Sequence, residues 1–233
     1  MRDLGGLWAD LTDLVLPVEC AGCRERRPGL RHGVCPECVT ALGALRPRAV
    51  RPTPAPPDLP PCVALGPYAG PLRETLLAYK DHGRHGLARP LGALLAEVVA
   101  AAVGEVRPVT LVPVPDTAAA ARARYGDHLG RLTRHCADRL RRAGWPVRVR
   151  RPLRALPRPD SVTLDSAGRA AAAEAAFRVR PRVPSGPETA VVVLDDILTT
   201  GATLAAVGRA LTASGLSPTV AAVLAATEKR RRL

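Results

Sequence analysis

The apolar run A-V-V-V-L, from Ala190 to Leu194, allows few folds. A strand that is apolar at every position is covered on both faces, as in the centre of a parallel sheet flanked by helices. Strand-like runs at 109–114, 147–149, 190–194 and 219–224 alternate with helical patterns at 127–143, 166–176 and 203–214. This alternation predicts an α/β fold built on a parallel sheet.

Two acidic residues and a short polar loop follow that run. Asp195 and Asp196 end the strand, T-T-G-A spans 199–202, and a helix is predicted to begin at Thr203. The start of a helix attracts phosphate through its free N–H groups, and carboxylates accept hydrogen bonds from vicinal hydroxyls. A ribose 5-phosphate carries both groups, a phosphate for the helix start and vicinal hydroxyls for the carboxylates. The alternative is an acidic strand end followed by an unrelated helix cap. It would explain Asp196 and Thr203 separately, but not the unbroken order of apolar run, acid pair and T-T-G-A-T.

Four cysteines fall in two pairs, Cys20-x-x-Cys23 and Cys35-x-x-Cys38. Two such pairs supply the four thiolates of a tetrahedral Zn²⁺ site. Because all four positions are taken, the metal is expected to be structural and to stabilise a module without a large core. Two disulfides or four idle thiols are the alternative, and His32 could replace one thiolate.

Proline divides the chain. The stretch 46–61 contains seven prolines, which forbid a helix and favour a stiff, extended spacer. We therefore expect an N-terminal helix and four-cysteine module at 1–45, a linker at 46–61 and the α/β domain at 62–233. The N-terminal helix is predicted from apolar residues at helical spacing within 1–19.

Charge and aromatic content restrict the classes of ligand. The formal net charge is +13, which favours anions, whereas only 3% of residues are aromatic, which argues against a protein that stacks nucleic-acid bases. Biased codon usage would also explain the excess of positive charge, because nearly all of the basic residues are arginine. One helical face at 127–143 carries Arg131, Arg134, Arg141 and Arg142; with the tail 230–232 it could bind single-stranded DNA weakly, or it is simply a solvated face.

The chain has no run of about 18 consecutive apolar residues, and acidic residues interrupt its first apolar stretch. We therefore expect a cytoplasmic protein without membrane insertion. Its oligomeric state is left open by these patterns.

The segment from Val191 to Thr203 resembles, over its whole length, the signature of type I phosphoribosyltransferases for phosphoribosyl pyrophosphate (PRPP). The resemblance implies that Asp195 and Asp196 hold the ribose hydroxyls and are the catalytic residues. It implies that the 5′-phosphate is cradled by Thr199, Thr200, Gly201, Ala202 and Thr203. It also implies Mg²⁺ bridging the pyrophosphate.

Upstream, L-V-P-V-P at 111–115 ends a predicted strand where that family has its pyrophosphate loop. By this resemblance Pro115, Asp116 and Thr117 line the side of the leaving group. Arg122 and Arg124 follow closely and suit phosphate contacts, or they face solvent.

The order of motifs over nearly the whole chain resembles the ComF family. It comprises both cysteine pairs, Tyr68-x-Gly70, Lys80-x-x-Gly83, V-P-V-P and the PRPP signature. Members are associated with natural competence beside a DNA-uptake helicase, or are classed as phosphoribosyltransferases. The resemblance implies a type I phosphoribosyltransferase fold with a small N-terminal zinc ribbon.

Two family patterns are altered. R-Y-G-D-H at 124–128 stands where the family usually has R-G-F-N-Q, and the later amide positions are replaced around 160–172. The stretch 157–169 corresponds to a mobile loop in which Asp160 and Arg169 are candidates, unless it only caps a helix at Asp165 or Ser166. The expected function is phosphoribosyl transfer from PRPP to an unknown acceptor. The alternative is a non-catalytic competence factor that binds a helicase or single-stranded DNA.

Overall fold

The computed structural model describes residues 19–117, 122, 126–156, 177–179 and 189–227. Several predicted features lie outside the described residues: the N-terminal helix up to residue 18, the helix at 166–176, the loop at 157–169 with Asp160 and Arg169, Arg124 and the basic tail. The bounds and contacts below concern the described ranges.

The strands are β1 (Arg48–Val50), β2 (Cys62–Pro67), β3 (Val109–Pro113), β4 (Val147–Val149), β5 (Leu153–Ala155), β6 (Phe177–Val179), β7 (Ala190–Leu198) and β8 (Val220–Ala226). Six of them form one sheet in the order β1-β2-β8-β7-β3-β4, and β5 pairs with β6 in a separate antiparallel ribbon. Within the six-stranded sheet only β1 runs antiparallel to its neighbour. The predicted α/β architecture with a mostly parallel sheet is confirmed.

The helices are α1 (Pro36–Gly43), α2 (Gly70–Lys80), α3 (Ala88–Val103), α4 (His128–Arg142) and α5 (Ala202–Ala213). Apolar residues of α2, α3 and α4 share one buried cluster with Val192 and Leu194 of β7, whereas α5 shares the other cluster with Val191 and Val193. Alternate residues of β7 therefore face opposite layers, as the uninterrupted apolar run predicts.

Helix α3 contacts α4 closely at Gly92. A Cβ atom there would lie 2.5 Å from Cβ of His135 and 3.0 Å from the carbonyl oxygen of Leu132, so no larger residue fits without moving the helices apart. With the preceding 3₁₀ turn, the segment His85–Val103 is long and apolar enough to span a membrane, with a mean hydropathy of 1.6 over its most apolar window. In the protein, Leu95, Val98 and Val99 of this helix are fully buried in the core.

The proline-rich segment packs against the α/β domain. Its residues Arg48–Val50 form the edge strand β1, which a proline-rich segment can supply because the paired residues themselves are not proline. Leu59 is buried in the cluster of α5, and Arg209 of α5 lies 3.8 Å from the carboxylate of Asp58. The segment therefore forms part of the layer that covers one face of the sheet.

Candidate functional site

A cleft of about 310 Å³ opens at the carboxyl ends of β3 and β7. Its walls come from the end of α2, the loop after β3, the start of α4, the ribbon β5-β6, the acid pair of β7 and the start of α5. The lining residues are Lys80, Val114, Pro115, Asp116, Thr117, His128, Leu129, Ala155, Phe177, Asp195, Asp196 and Thr203. Ligands of open α/β sheets bind at this edge, because connections from neighbouring parallel strands meet there.

Asp196 is the centre of an ion-pair network in the cleft. One of its oxygens, Oδ2, lies 2.6 Å from Nζ of Lys80 and 3.2 Å from Nε2 of His128. The carboxylate side chain is only 8% exposed. Two cationic partners therefore compensate a charge that would be costly to bury alone.

His128 joins this network to the loop after β3. Its Nδ1 atom lies 3.0 Å from Oδ2 of Asp116, while the ring packs edge-on against Tyr79. The hydroxyl of Tyr79 donates a 2.6 Å hydrogen bond to the carbonyl oxygen of His128. The ring is thus held in place from both sides, with one nitrogen toward each carboxylate.

The network separates the ionisation of the two neighbouring aspartates. Burial opposes charging Asp196, but the hydrogen bond from His128 and the charge of Lys80 outweigh it and hold the pKa of that carboxyl below its usual range. Burial and the charge of Asp196 raise the pKa of Asp195 well above its usual value. Burial also disfavours a charged His128, yet Asp116 and Asp196 together raise its pKa from 6.5 to about 9.

The start of α5 forms the other end of the cleft. Gly201 precedes the helix in the left-handed conformation, with φ of 79°, and no side chain caps the helix. The amide of Ala202 makes only a long contact, 3.4 Å, with the hydroxyl oxygen of Thr200. The first amides of α5, with the positive end of its dipole, are therefore suited to an anion in the cleft.

The structure brings together most of the residues predicted for PRPP. Asp195, Asp196, Thr203, Pro115, Asp116 and Thr117 all line the same cleft. Thr199 and Thr200 are exposed, Gly201 is buried, and none of these three nor Ala202 is among the lining residues. Arg122 is exposed and also lies outside the lining set.

Sequence reasoning missed Lys80 and His128 as members of the site. Lys80 is one of only two lysines and lies in the K-x-x-G motif, which was a signal for a site residue. His128 is the last residue of R-Y-G-D-H, one of the two altered patterns in the sequence, and this position was its signal. The preceding residue, Asp127, caps α4 by accepting a 2.7 Å hydrogen bond from the amide of Gly130.

A second site lies in the N-terminal module. The Sγ atoms of Cys20, Cys23, Cys35 and Cys38 all lie within 4.8 Å of one another. A tetrahedral Zn²⁺ with bonds of about 2.3 Å to sulfur needs sulfur atoms about 3.8 Å apart, and Cys23 and Cys35 are 4.0 Å apart at Sγ. The four cysteines form no disulfide in the structure, and the spacing of their sulfur atoms fits a metal such as zinc.

Backbone amides prepare Cys20 for a metal. Its sulfur accepts hydrogen bonds from the amides of Gly22 and Cys35, at 3.3 and 3.2 Å. Burial opposes ionisation, but these amides outweigh it and lower the pKa of Cys20 to about 6, which favours the thiolate. His32 is exposed and is not part of the cluster.

The cysteine module rests on α2 and the turn after it. Arg84 donates hydrogen bonds to the carbonyl oxygens of Glu19, at 2.7 Å, and Gly33, at 3.3 Å. Arg24 of the module pairs with Glu74 of α2 at 3.1 Å. Since α2 ends at Lys80, the same helix contacts the cysteine module and carries a cation of the cleft.

No protein-family model matches the chain, and no curated protein matches its sequence significantly. What the chain does must therefore be inferred from the chemistry of the cleft and of the cysteine cluster.

Proposed function

We propose that this protein binds PRPP in the cleft and transfers its phosphoribosyl group to an acceptor, on a domain of the type I phosphoribosyltransferase fold. One observation carries the proposal: the acid pair of β7, the start of α5 and the loop after β3 line a single cleft. These are the three parts that a ribose, its 5′-phosphate and a pyrophosphate require. The order of motifs that resembles the ComF family supports the same proposal.

The ribose would lie over the end of β7. Asp195 and Asp196 can accept hydrogen bonds from vicinal 2′- and 3′-hydroxyls, which matches the acceptor capacity of two carboxyl groups. The 5′-phosphate would lie at the start of α5, where the backbone amides and Thr203 can donate to it. Gly201 supports this arrangement, because its positive φ turns the chain sharply between the strand and the helix.

The pyrophosphate would face Pro115, Asp116 and Thr117. Lys80 and His128 compensate the charges of Asp196 and Asp116 at this end of the cleft, which reduces the repulsion of a polyanionic ligand. Mg²⁺ would accompany the pyrophosphate of PRPP and reduce its negative charge. The volume of about 310 Å³ is at the lower end of the range for pockets that hold small molecules, about 300–1,000 Å³.

In the reaction, a nucleophile of the acceptor forms a bond to C1 of the ribose while the bond from C1 to the pyrophosphate oxygen breaks. The bonding electrons leave with pyrophosphate, and the acceptor loses a proton to solvent or to a base. The residues of the cleft would act by positioning the ribose and by stabilising the charge that develops on the leaving group.

Calorimetric titration of the zinc-loaded protein with PRPP, with and without Mg²⁺, tests the binding step. We expect binding that depends on Mg²⁺ and is abolished in the Asp195→Asn, Asp196→Asn double variant. Asp138→Asn, an exposed aspartate of α4, is the matched control and should bind like the wild type. Retained affinity in a folded double variant would refute the site. If binding is lost as expected, an assay for pyrophosphate release with candidate acceptors separates an enzyme from a protein that only binds PRPP.

A second candidate function is contact with single-stranded DNA, and one observation favours it. Residues 127–154, which form α4, β4 and β5, contain nine arginines and two aspartates, a net charge of +7 out of +13 for the chain. Helix α4 packs against β4, which is an edge strand of the six-stranded sheet. Such a surface would bind the phosphate backbone without sequence preference.

Fluorescence anisotropy with a labelled oligonucleotide tests the second candidate. The affinity should fall steeply as salt is raised from 50 to 200 mM, by about a thousandfold if six phosphates are contacted. Arg134→Gln with Arg148→Gln should reduce both the affinity and the salt dependence. A DNA affinity that is insensitive to these changes would exclude this surface.

A further inference from the structure

The loop proposed to face pyrophosphate contains an acidic residue, Asp116, at the edge of the cleft. An uncompensated carboxylate at this place would repel a pyrophosphate anion. The side chain of Asp116 is 22% exposed, so water screens its charge only in part. A pyrophosphate-binding cleft therefore requires a cation that neutralises this residue.

His128 meets this requirement by geometry. Its two ring nitrogens each face a carboxylate oxygen, 3.0 Å away at Asp116 and 3.2 Å away at Asp196. A neutral imidazole has one N–H group, so one of these contacts would bring a nitrogen lone pair against an anionic oxygen. The contact with Asp196 has hydrogen-bond geometry, whereas the contact with Asp116 is an ion pair by distance, so only the imidazolium makes both contacts favourable.

The remaining groups around the ring are also consistent with a fixed imidazolium. From α2, Lys80 binds the same oxygen of Asp196, and Tyr79 packs against the ring and anchors its backbone. From the N-terminus of α4, Asp127 is tied to the amide of Gly130 and to Arg151. From β7, Asp195 lies next to Asp196, but burial and the charge of Asp196 raise its pKa and favour its neutral form, so Asp116 and Asp196 are the carboxylates that face the ring nitrogens.

We propose that His128 is a positioning residue of this site, which neutralises Asp116 so that pyrophosphate can approach and which orients Asp196 toward the ribose. The inference rests on the proposed function and adds to it a residue that links the two halves of the PRPP site. His128 acts here through Asp116 and Asp196.

Calorimetry with PRPP and Mg²⁺ at pH 7.5 tests this role. We expect His128→Gln to weaken PRPP binding by about ten- to hundredfold, the loss typical of one interaction with a charged group. Removing the charge of Asp116 should rescue the part of the loss that comes from that residue: the step from Asp116→Asn to Asp116→Asn with His128→Gln should weaken binding less than the step from the wild type to His128→Gln. His135→Gln, on the same helix but packed toward α3, is the matched control. Circular dichroism verifies that each variant is folded.

A second readout does not need a ligand. The ring of His128, followed by NMR in the free protein, should titrate far above an ordinary histidine, and Asp116→Asn should lower its titration point. If PRPP binds but His128→Gln binds equally well, or if the double variant shows no rescue, the role of His128 is refuted while the proposed function stands. If the wild type binds neither PRPP nor inorganic pyrophosphate, both are refuted.

Discussion

The ion pair between Lys80 and Asp196 should contribute measurably to the stability of the protein. Lys80→Met removes one of the two cations that compensate a carboxylate whose side chain is 8% exposed. Breaking a buried pair costs about 3–5 kcal/mol, and a hydrogen bond to a charged group is worth about 1.5–3 kcal/mol. Because Lys80 is itself 21% exposed and His128 remains as a partner of Asp196, we expect a loss below the value for a fully buried pair and close to that of one hydrogen bond to a charged group.

The predicted loss is therefore about 2–3 kcal/mol, which corresponds to a decrease in Tm of about 4–12 °C for a chain of this size. Urea denaturation at pH 7 should give the free energy of unfolding for the wild type, Lys80→Met, Asp196→Asn and the double variant. The resulting double-mutant cycle isolates the interaction of the two residues, and we expect a coupling of at least about 1 kcal/mol.

The exposed pair of Arg141 and Asp138 is the matched control. Its atoms are 3.2 Å apart and both side chains are 48% exposed, so the same cycle should give about 0.5 kcal/mol or less. If the coupling between Lys80 and Asp196 is no larger than that of the exposed pair, the reasoning from burial is refuted.

Three further predictions concern pH, metal and backbone conformation. The pKa of His128 is raised from 6.5 to about 9, so its contribution to stability, on the order of 3 kcal/mol, is complete below pH 6.5 and is lost as pH rises through 9. Urea denaturation from pH 6 to 10 should show the wild type approaching His128→Gln in stability, and a constant gap would contradict the assignment. Metal analysis should find one zinc per chain, lost in Cys35→Ser but kept in Cys62→Ala, whose cysteine lies outside the cluster; Cys35→Ser should also melt at lower temperature. Gly201→Ala should destabilise more than Gly215→Ala, because both glycines have positive φ but only at Gly201 would a Cβ contact neighbours, at 3.1–3.2 Å; equal losses in thermal melts would refute the crowding argument.

The elements of the α/β domain could be predicted from the sequence because their signals are local. The periodicity of apolar residues predicted β3, β4, β7 and β8 and the helices α4 and α5 within one or two residues at most ends. β7 was the exception, since it continues through the acid pair to Leu198. The strand continues because Asp195, Ile197 and Leu198 still pair with β8, a partner that the local sequence does not reveal.

The strands β1, β5 and β6 were not predicted. Each has three residues, too few for a periodic pattern, and β1 lies among prolines. Their conformation depends on pairing with a partner elsewhere in the chain, which no local pattern reports.

By itself the sequence determined the parts whose information lies within a few residues: the cysteine pairs, the buried strand with its acid pair, and the turn into the next helix. Only the tertiary structure decided that Lys80 and His128 join the acid pair. His128 and Asp196 are 68 residues apart, and they meet because parallel strands bring the connections after them to one edge of the sheet. The charge of each group in the cleft depends on these distant neighbours, since burial and nearby charges set its pKa.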